Sequence, residues 1–182
     1  MKILAISGSS RRLSTNTALL NAMKEMAPEG VEFIVFSRLD SLPIFSPDAE
    51  GALTPEVVCD FIKLVQECDG LIISSPEYAR AIPGGLKNAI DWMVSRFEIV
   101  DKPVALAHAS HRGDDMLHSL RLVLSTVSSK FFEDHFLRIS LIGKAPDEVY
   151  ELLRSTELQK DVSRFLDTYL AEIRGSSSQC ID

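Results

Sequence analysis

Cysteine is scarce in this chain: Cys59, Cys68 and Cys180 make an odd number, at spacings that match no zinc or dithiol motif. A disulfide framework is therefore excluded as the basis of the fold, and reduced thiols in the cytoplasm are the expectation. Cys59 and Cys68 fall in a helical pattern and are expected in the core or at its edge. No long run of Lys or Arg occurs, Arg11 and Arg12 being the few basic residues that sit together, and the formal net charge is −7. Both facts argue against a broad nucleic-acid or anionic-membrane surface. Long hydrophobic runs are missing too: the opening MKILAISGSS is apolar for only a few residues, too short for a signal peptide or a membrane span. There is no internal repeat, no low-complexity segment and no linker that would divide the chain. No Ser-His-Asp or Cys-His arrangement offers itself as a catalytic nucleophile.

What remains is a globular composition. Hydrophobic residues make up 46% of 182 positions and charged residues 25%, enough to bury a core without metal or cross-links. The apolar runs are short: Ile3 to Ile6, Val31 to Phe36, Gly70 to Ser74, Pro103 to Ala107 and, with more alternation, Phe136 to Ile142. Short non-alternating runs of Ile, Val and Leu suit strands buried on both faces of a parallel sheet. Helical stripes lie between them. Leu19, Leu20, Met23 and Met26 form one, Leu86, Ile90, Met93 and Phe97 another, and Leu117, Leu120 and Leu124 a third. Thr54-Pro55-Glu56 reads as a helix start with Thr54 as N-cap. The cleanest stripe is the last: Val162, Phe165, Leu166, Tyr169, Leu170 and Ile173.

Five alternations of strand and helix predict an α/β three-layer sandwich, its five parallel strands in the order 2-1-3-4-5 with helices on both faces. A ligand crevice is then expected at the carboxyl ends of strands one and three. One domain over residues 1–173 and a flexible tail over 174–182 are the expected organisation. The segment Ser37 to Leu53 is long for a connector and carries the apolar Leu42-Pro43-Ile44-Phe45 patch, which points to a functional loop or an interface.

Strand one runs into Gly8-Ser9-Ser10-Arg11-Arg12-Leu13-Ser14-Thr15-Asn16 and then a helix. A helix N-terminus presents unpaired N–H groups and about half a positive charge, so the turn reads as an anion site. Ser9, Ser14 and Thr15 add hydroxyls, Asn16 an amide, and Arg11 or Arg12 a guanidinium fork. The plainer alternative is that Ser14 or Asn16 only caps the helix and the arginines are solvated. With Gly8 alone, the turn satisfies neither the P-loop pattern nor the dinucleotide fingerprint.

Strand three leads into Ser74-Ser75-Pro76-Glu77-Tyr78-Ala79-Arg80-Ala81-Ile82-Pro83-Gly84-Gly85-Leu86-Lys87-Asn88-Ala89-Ile90-Asp91-Trp92. Pro76 and Pro83 stiffen a loop whose backbone can meet the polar edge of a flat heterocycle, with Tyr78 at its face or rim. Glu77 is read as a loop carboxylate bonding backbone N–H groups rather than as an acid or base. Lys87 and Asp91 form an i,i+4 pair, and Trp92 is a packing or interface aromatic.

These two stretches together resemble the NADPH-dependent FMN reductase family, flavodoxin-like proteins that include quinone, chromate and azo-dye reductases. The pattern G-S-x-R-x-x-S-x-N is met by Gly8, Ser9, Arg11, Ser14 and Asn16. The pattern P-E-Y followed by P-G-x-L-K-N-x-x-D-W is met by Pro76, Glu77, Tyr78, Pro83, Gly84, Leu86, Lys87, Asn88, Asp91 and Trp92. The resemblance implies that Ser9, Arg11, Ser14, Thr15 and Asn16 hold the phosphate of FMN, and that Pro76, Glu77 and Tyr78 flank its ring. It implies NADPH or NADH as electron donor, a small-molecule acceptor, and a homodimer or homotetramer. Many members carry Asn where this chain has Ala79.

After strand four, Ala107-His108-Ala109-Ser110-His111-Arg112-Gly113-Asp114-Asp115 has a single glycine where many members have several. Ser110 is expected to reach the ring's polar edge. His111 and Arg112 are candidates for an acidic acceptor or for nucleotide phosphates, the alternative being a surface loop with an acidic helix start at Asp114 and Asp115, which is the preferred reading for His111. The His108, His111, Asp114 and Asp115 spacing fits no zinc or calcium site. The function expected is an FMN-dependent NAD(P)H oxidoreductase without a catalytic side-chain nucleophile. An FMN-binding electron carrier, or a phosphate-ligand binder or sensor, is the alternative.

Overall fold

A computed structural model describes residues 1–178. Five strands, β1 (Lys2–Ser7), β2 (Glu32–Phe36), β3 (Gly70–Ser74), β4 (Val104–His108) and β5 (Phe131–Arg138), form one parallel sheet in the order β2-β1-β3-β4-β5. This is the expected flavodoxin-like order. Every residue of β3 and β4 is buried.

The two-residue period of the strands divides the core in two. Leu4, Ile6, Leu71, Ile73, Val104 and Leu106 face α2 (Glu56–Glu67), α3 (Gly84–Asp91) and α4 (Asp114–Val127). Ile3, Ala5, Ile72, Ala105 and Ala107 face α1 (Thr15–Glu25), α5 (Pro146–Leu153) and α6 (Thr156–Ser178). All six residues of the last predicted stripe are buried on α6. Of the expected tail, residues 174–178 continue α6; Cys180 lies outside the described residues. Among the described residues no helix is long and apolar enough to cross a membrane.

Several boundaries differ from expectation. The fifth strand starts five residues early, at Phe131 rather than Phe136. It is an edge strand whose exposed Glu133 and Asp134 break the apolar pattern, and its pairing to β4 is irregular between Val104 and Leu106. The expected run still pairs, because Ile139 and Leu141 donate to the carbonyls of His108 and Ala109 at 2.9 and 3.2 Å. Thr54 is not the N-cap of α2. It closes a 3-10 turn on Gly51, and the Pro55 carbonyl accepts from Val58 and Cys59 instead. Phe97 is 91% exposed, because α3 ends at Trp92 and the chain turns away before the stripe is complete. Cys59 is exposed, on the outer side of α2, whereas Cys68 is buried.

Trp92 is fully buried; its Nε1 donates to the Pro43 carbonyl at 2.8 Å and its ring meets Phe45 edge-on. The long 37–53 segment is thereby fastened to the end of α3. On the other face, the buried Tyr169 hydroxyl lies 2.8 Å from the carbonyls of both Leu71 and Pro103, tying α6 to the start of β3. Burial holds this phenol well above its ordinary pKa, so it remains a donor. Tyr169→Phe is expected to lower the unfolding free energy by about 1 kcal/mol in urea denaturation, the net value of one buried hydrogen bond.

Candidate functional site

The three loops after β1, β3 and β4 meet at the carboxyl edge of the sheet. Gly8 begins the first. Its N–H donates to the Ser74 carbonyl at 2.7 Å, and a Cβ there would stand 2.6 Å from Ser75 Oγ and 3.0 Å from Leu86. Only glycine lets the first loop lie this close to the second. Ser14 caps α1, its side chain accepting from Thr17 N at 3.3 Å. The first turn of α1 carries no acid. Asn16 is buried, and its Oδ1 accepts from Ser74 Oγ at 3.0 Å, which leaves its amide nitrogen as a donor.

Helix α4 begins quite differently. Its N-cap is Gly113, with φ of 101° and no capping side chain. The carboxylate of Glu77, from the second loop, accepts from Met116 N at 3.0 Å and supplies that cap across space. Asp114 and Asp115 occupy the first turn and pair with Arg138 and Arg80 respectively. The Arg80 hydrogen bond holds Asp115 below the usual carboxylate range. One helix N-terminus is thus occupied by the chain's own anions, and the other is not.

His108 ends β4. It is buried, and Nε2 donates its proton to the Arg112 carbonyl. Its Nδ1 has no hydrogen-bond partner among the described residues. A side chain at Gly113 would stand 3.0 Å from Nε2, so the third loop is folded tightly over the ring. Burial pushes the imidazole below its ordinary value. The carbonyls of Arg112 and Ser75 oppose that shift, and the charge of Arg138 adds to it. Ser110 Oγ accepts from Arg112 N at 2.9 Å, and His111 bonds Ser140.

The result is one cleft of about 300 Å³. Of the sequence-predicted residues, Thr15, Asn16, Pro76, Glu77, Ser110 and Arg112 line it. Ser9 and Ser14 are buried in the first loop without lining the cleft, and Arg11 is exposed on that loop. Tyr78 is 52% exposed at the tip of the second loop. There Tyr78 and Ala81 exchange backbone hydrogen bonds, and Ala79 and Arg80 both take positive φ, 50° and 61°, as in a type I′ hairpin. The lining residues that sequence reasoning missed are Ser75, His108, Ala109, Gly113 and Ile142. For His108 a signal existed, a histidine closing a wholly apolar strand. For Ile142 there was none.

The family model for NADPH-dependent FMN reductases matches residues 1–140. The chain belongs to that family. Among curated members, a 2-hydroxy-1,4-benzoquinone reductase of Burkholderia is 41% identical over 92 residues, 50% of this chain and 49% of that protein. The quinone reductase of Escherichia coli K12 is 32% identical over 108 residues, 58% of this chain and 55% of that one. The chain thus spans about half the length of the curated relatives it matches. Among solved structures, the NAD(P)H:acceptor oxidoreductase FerB of Paracoccus denitrificans superposes with a TM-score of 0.73 at 23% identity, covering 96% of this chain and 97% of that one. That likeness is one of fold.

Two outcomes are expected for an FMN reductase-family protein built this way. Ala79→Asn raises the unfolding free energy by about 0.5–1 kcal/mol in thermal denaturation, since Asn tolerates the left-handed backbone better than Ala. The buried neutral His108 makes stability depend on pH. Its folded pKa lies below the unfolded value, so its contribution is complete above the ordinary value of 6.5 and declines as pH falls below it, where only the unfolded chain takes up the proton. His108→Asn should flatten the stability profile between about pH 7 and pH 5, read from urea midpoints.

Proposed function

We propose that this chain is an FMN-dependent NAD(P)H oxidoreductase that passes electrons from NADPH or NADH to a small acceptor such as a quinone, an azo compound, chromate or free flavin. The observation that carries the reading is the open N-terminus of α1. It is the one of the two helix starts at the cleft with no carboxylate in its first turn, and Thr15 and Asn16 line the cleft beside it. A phosphomonoester suits that end, where the helix N–H groups and partial charge remain available. Buried Ser9 and Ser14, the Asn16 amide and the exposed Arg11 are the groups that would hold it.

Pro76, Glu77 and Tyr78 would flank the ring, mainly through their backbone. The Glu77 side chain is committed to Met116 N, so it positions α4 against the second loop rather than moving protons. Ser110 stands on the cleft's far wall, where its hydroxyl is engaged by Arg112 N. The chemistry supplied by bound FMN is acceptance of two electrons from reduced nicotinamide and their delivery to an acceptor. The protein's part is to fix the phosphate, present backbone groups to the ring's polar edge and leave one face open. Exposed Ile44, Val94 and Phe97 support association of copies of this chain, and the free thiols of Cys59 and Cys68 support a cytoplasmic setting.

Anaerobic titration of the FMN-loaded protein with NADPH and NADH tests the reading. Loss of the oxidised flavin absorbance with at least one donor, and its return on adding a quinone, is expected. A flavin that neither donor bleaches rejects the reductase and leaves the carrier. Arg11→Ala and Asn16→Ala should each weaken FMN retention about tenfold by equilibrium dialysis, the loss of one hydrogen bond to a charged group.

A further inference from the structure

The arginines of the second loop, the third loop and β5 are not equivalent. Arg80 and Arg138 are neutralised by Asp115 and Asp114. Arg112 lines the cleft, is exposed, and pairs with no carboxylate among the described residues. Its backbone is clamped on both sides, N–H to Ser110 Oγ at 2.9 Å and C=O to His108 Nε2. Every nearby acid is already engaged: Glu77 by Met116 N, Asp114 by Arg138, Asp115 by Arg80. A guanidinium on an anchored backbone, beside carboxylates that are all committed elsewhere, is set to receive an anion from outside the chain.

Its place in the sheet says which molecule would bring that anion. The α1 end follows β1, Arg112 follows β4, and β3 lies between them. Two strand spacings put the two strand ends roughly 10 Å apart. The phosphate of the flavin belongs to the β1 side, so the partner of Arg112 comes with the second ligand.

We propose that Arg112 determines the specificity of this cleft by binding an oxyanion carried by that second ligand. The inference rests on the flavin reading above. A bidentate pair with a carboxylate or sulfonate on an aromatic acceptor is the main source of that anion. A phosphate of the nicotinamide nucleotide is the other source of the same chemistry.

The test uses anthraquinone-2-sulfonate and the uncharged menadione on FMN-loaded protein. Equilibrium binding of the sulfonate to the oxidised holoprotein, followed by perturbation of the flavin spectrum, needs no turnover. Arg112→Ala should weaken it about tenfold, as expected for losing a charge-assisted pair. Arg112→Lys should recover part of that loss, since it keeps the charge but not the fork. In steady state, the KM ratio of sulfonate to menadione should rise about tenfold in Arg112→Ala. If the KM for NADPH relative to NADH rises instead, the anion comes from the nucleotide and the proposal stands on its second source. If neither ratio changes and both variants bind the sulfonate as tightly as the unsubstituted protein, Arg112 is a solvated surface charge and the proposal is overturned. Arg112-dependent sulfonate binding with no bleaching by either nucleotide would reject the reductase and keep the anion site.

Discussion

Gly8 and Ser74 are joined by a backbone hydrogen bond beyond the end of β1, and the missing side chain of Gly8 is what permits it. Much of the cleft depends on that approach. A residue with a Cβ would push against Ser75 and Leu86, and so against both the second loop and the helix that follows it. The Asn16–Ser74 hydrogen bond would be lost with it, because it spans the same gap from the α1 side. The first two loops are therefore joined by backbone and side-chain hydrogen bonds rather than merely neighbouring. The third joins them through Glu77, which reaches out of the second loop to cap α4, and through His108, which folds the third loop onto the strand it leaves. The site is built from polar contacts between loops, laid over a sheet with an apolar core on each face.

Much of this was legible in the sequence, for reasons that can be stated residue by residue. β1, β3 and β4 are covered on both faces, so their residues are apolar without interruption and their limits were read to within a residue. The stripe on α6 is complete because that helix packs against the sheet from Val162 to Ile173. What failed was at the margins. β5 lies at the sheet edge, where only Leu137 is fully buried and the pattern dissolves into the exposed Glu133 and Asp134. Phe97 continued a helical period that the backbone had already abandoned. Thr54 had the composition of a cap but was used by a preceding turn.

The site divides in the same way. The α1 turn announces itself because its groups are local, contiguous and of one chemical kind. Glu77 was read as a carboxylate for backbone N–H groups, and it bonds one, but on a helix that begins 37 residues later. Such partnerships depend on which strand lies beside which, and no local pattern records them. The same holds for Gly113, whose lack of a side chain serves the ring of His108, and for Ile142, which enters the cleft only because the chain after β5 continues to pair along β4.

The unequal helix starts give the cleft a direction. At α4 two acids occupy the first turn and Glu77 caps Met116 N, whereas the first turn of α1, which lines the cleft at Thr15 and Asn16, carries no acid. The two ends of the cleft therefore offer different surroundings to the charged head of an elongated molecule. Reversed, its head would arrive at a helix end whose first turn already carries two acids and whose Met116 N–H is taken by Glu77, with only the side chain of Arg112 beside it, and its body would cover the acid-free start. The fold thus sorts the two ends of a guest before any contact with its middle, using nothing more than where the acidic residues of one chain were placed.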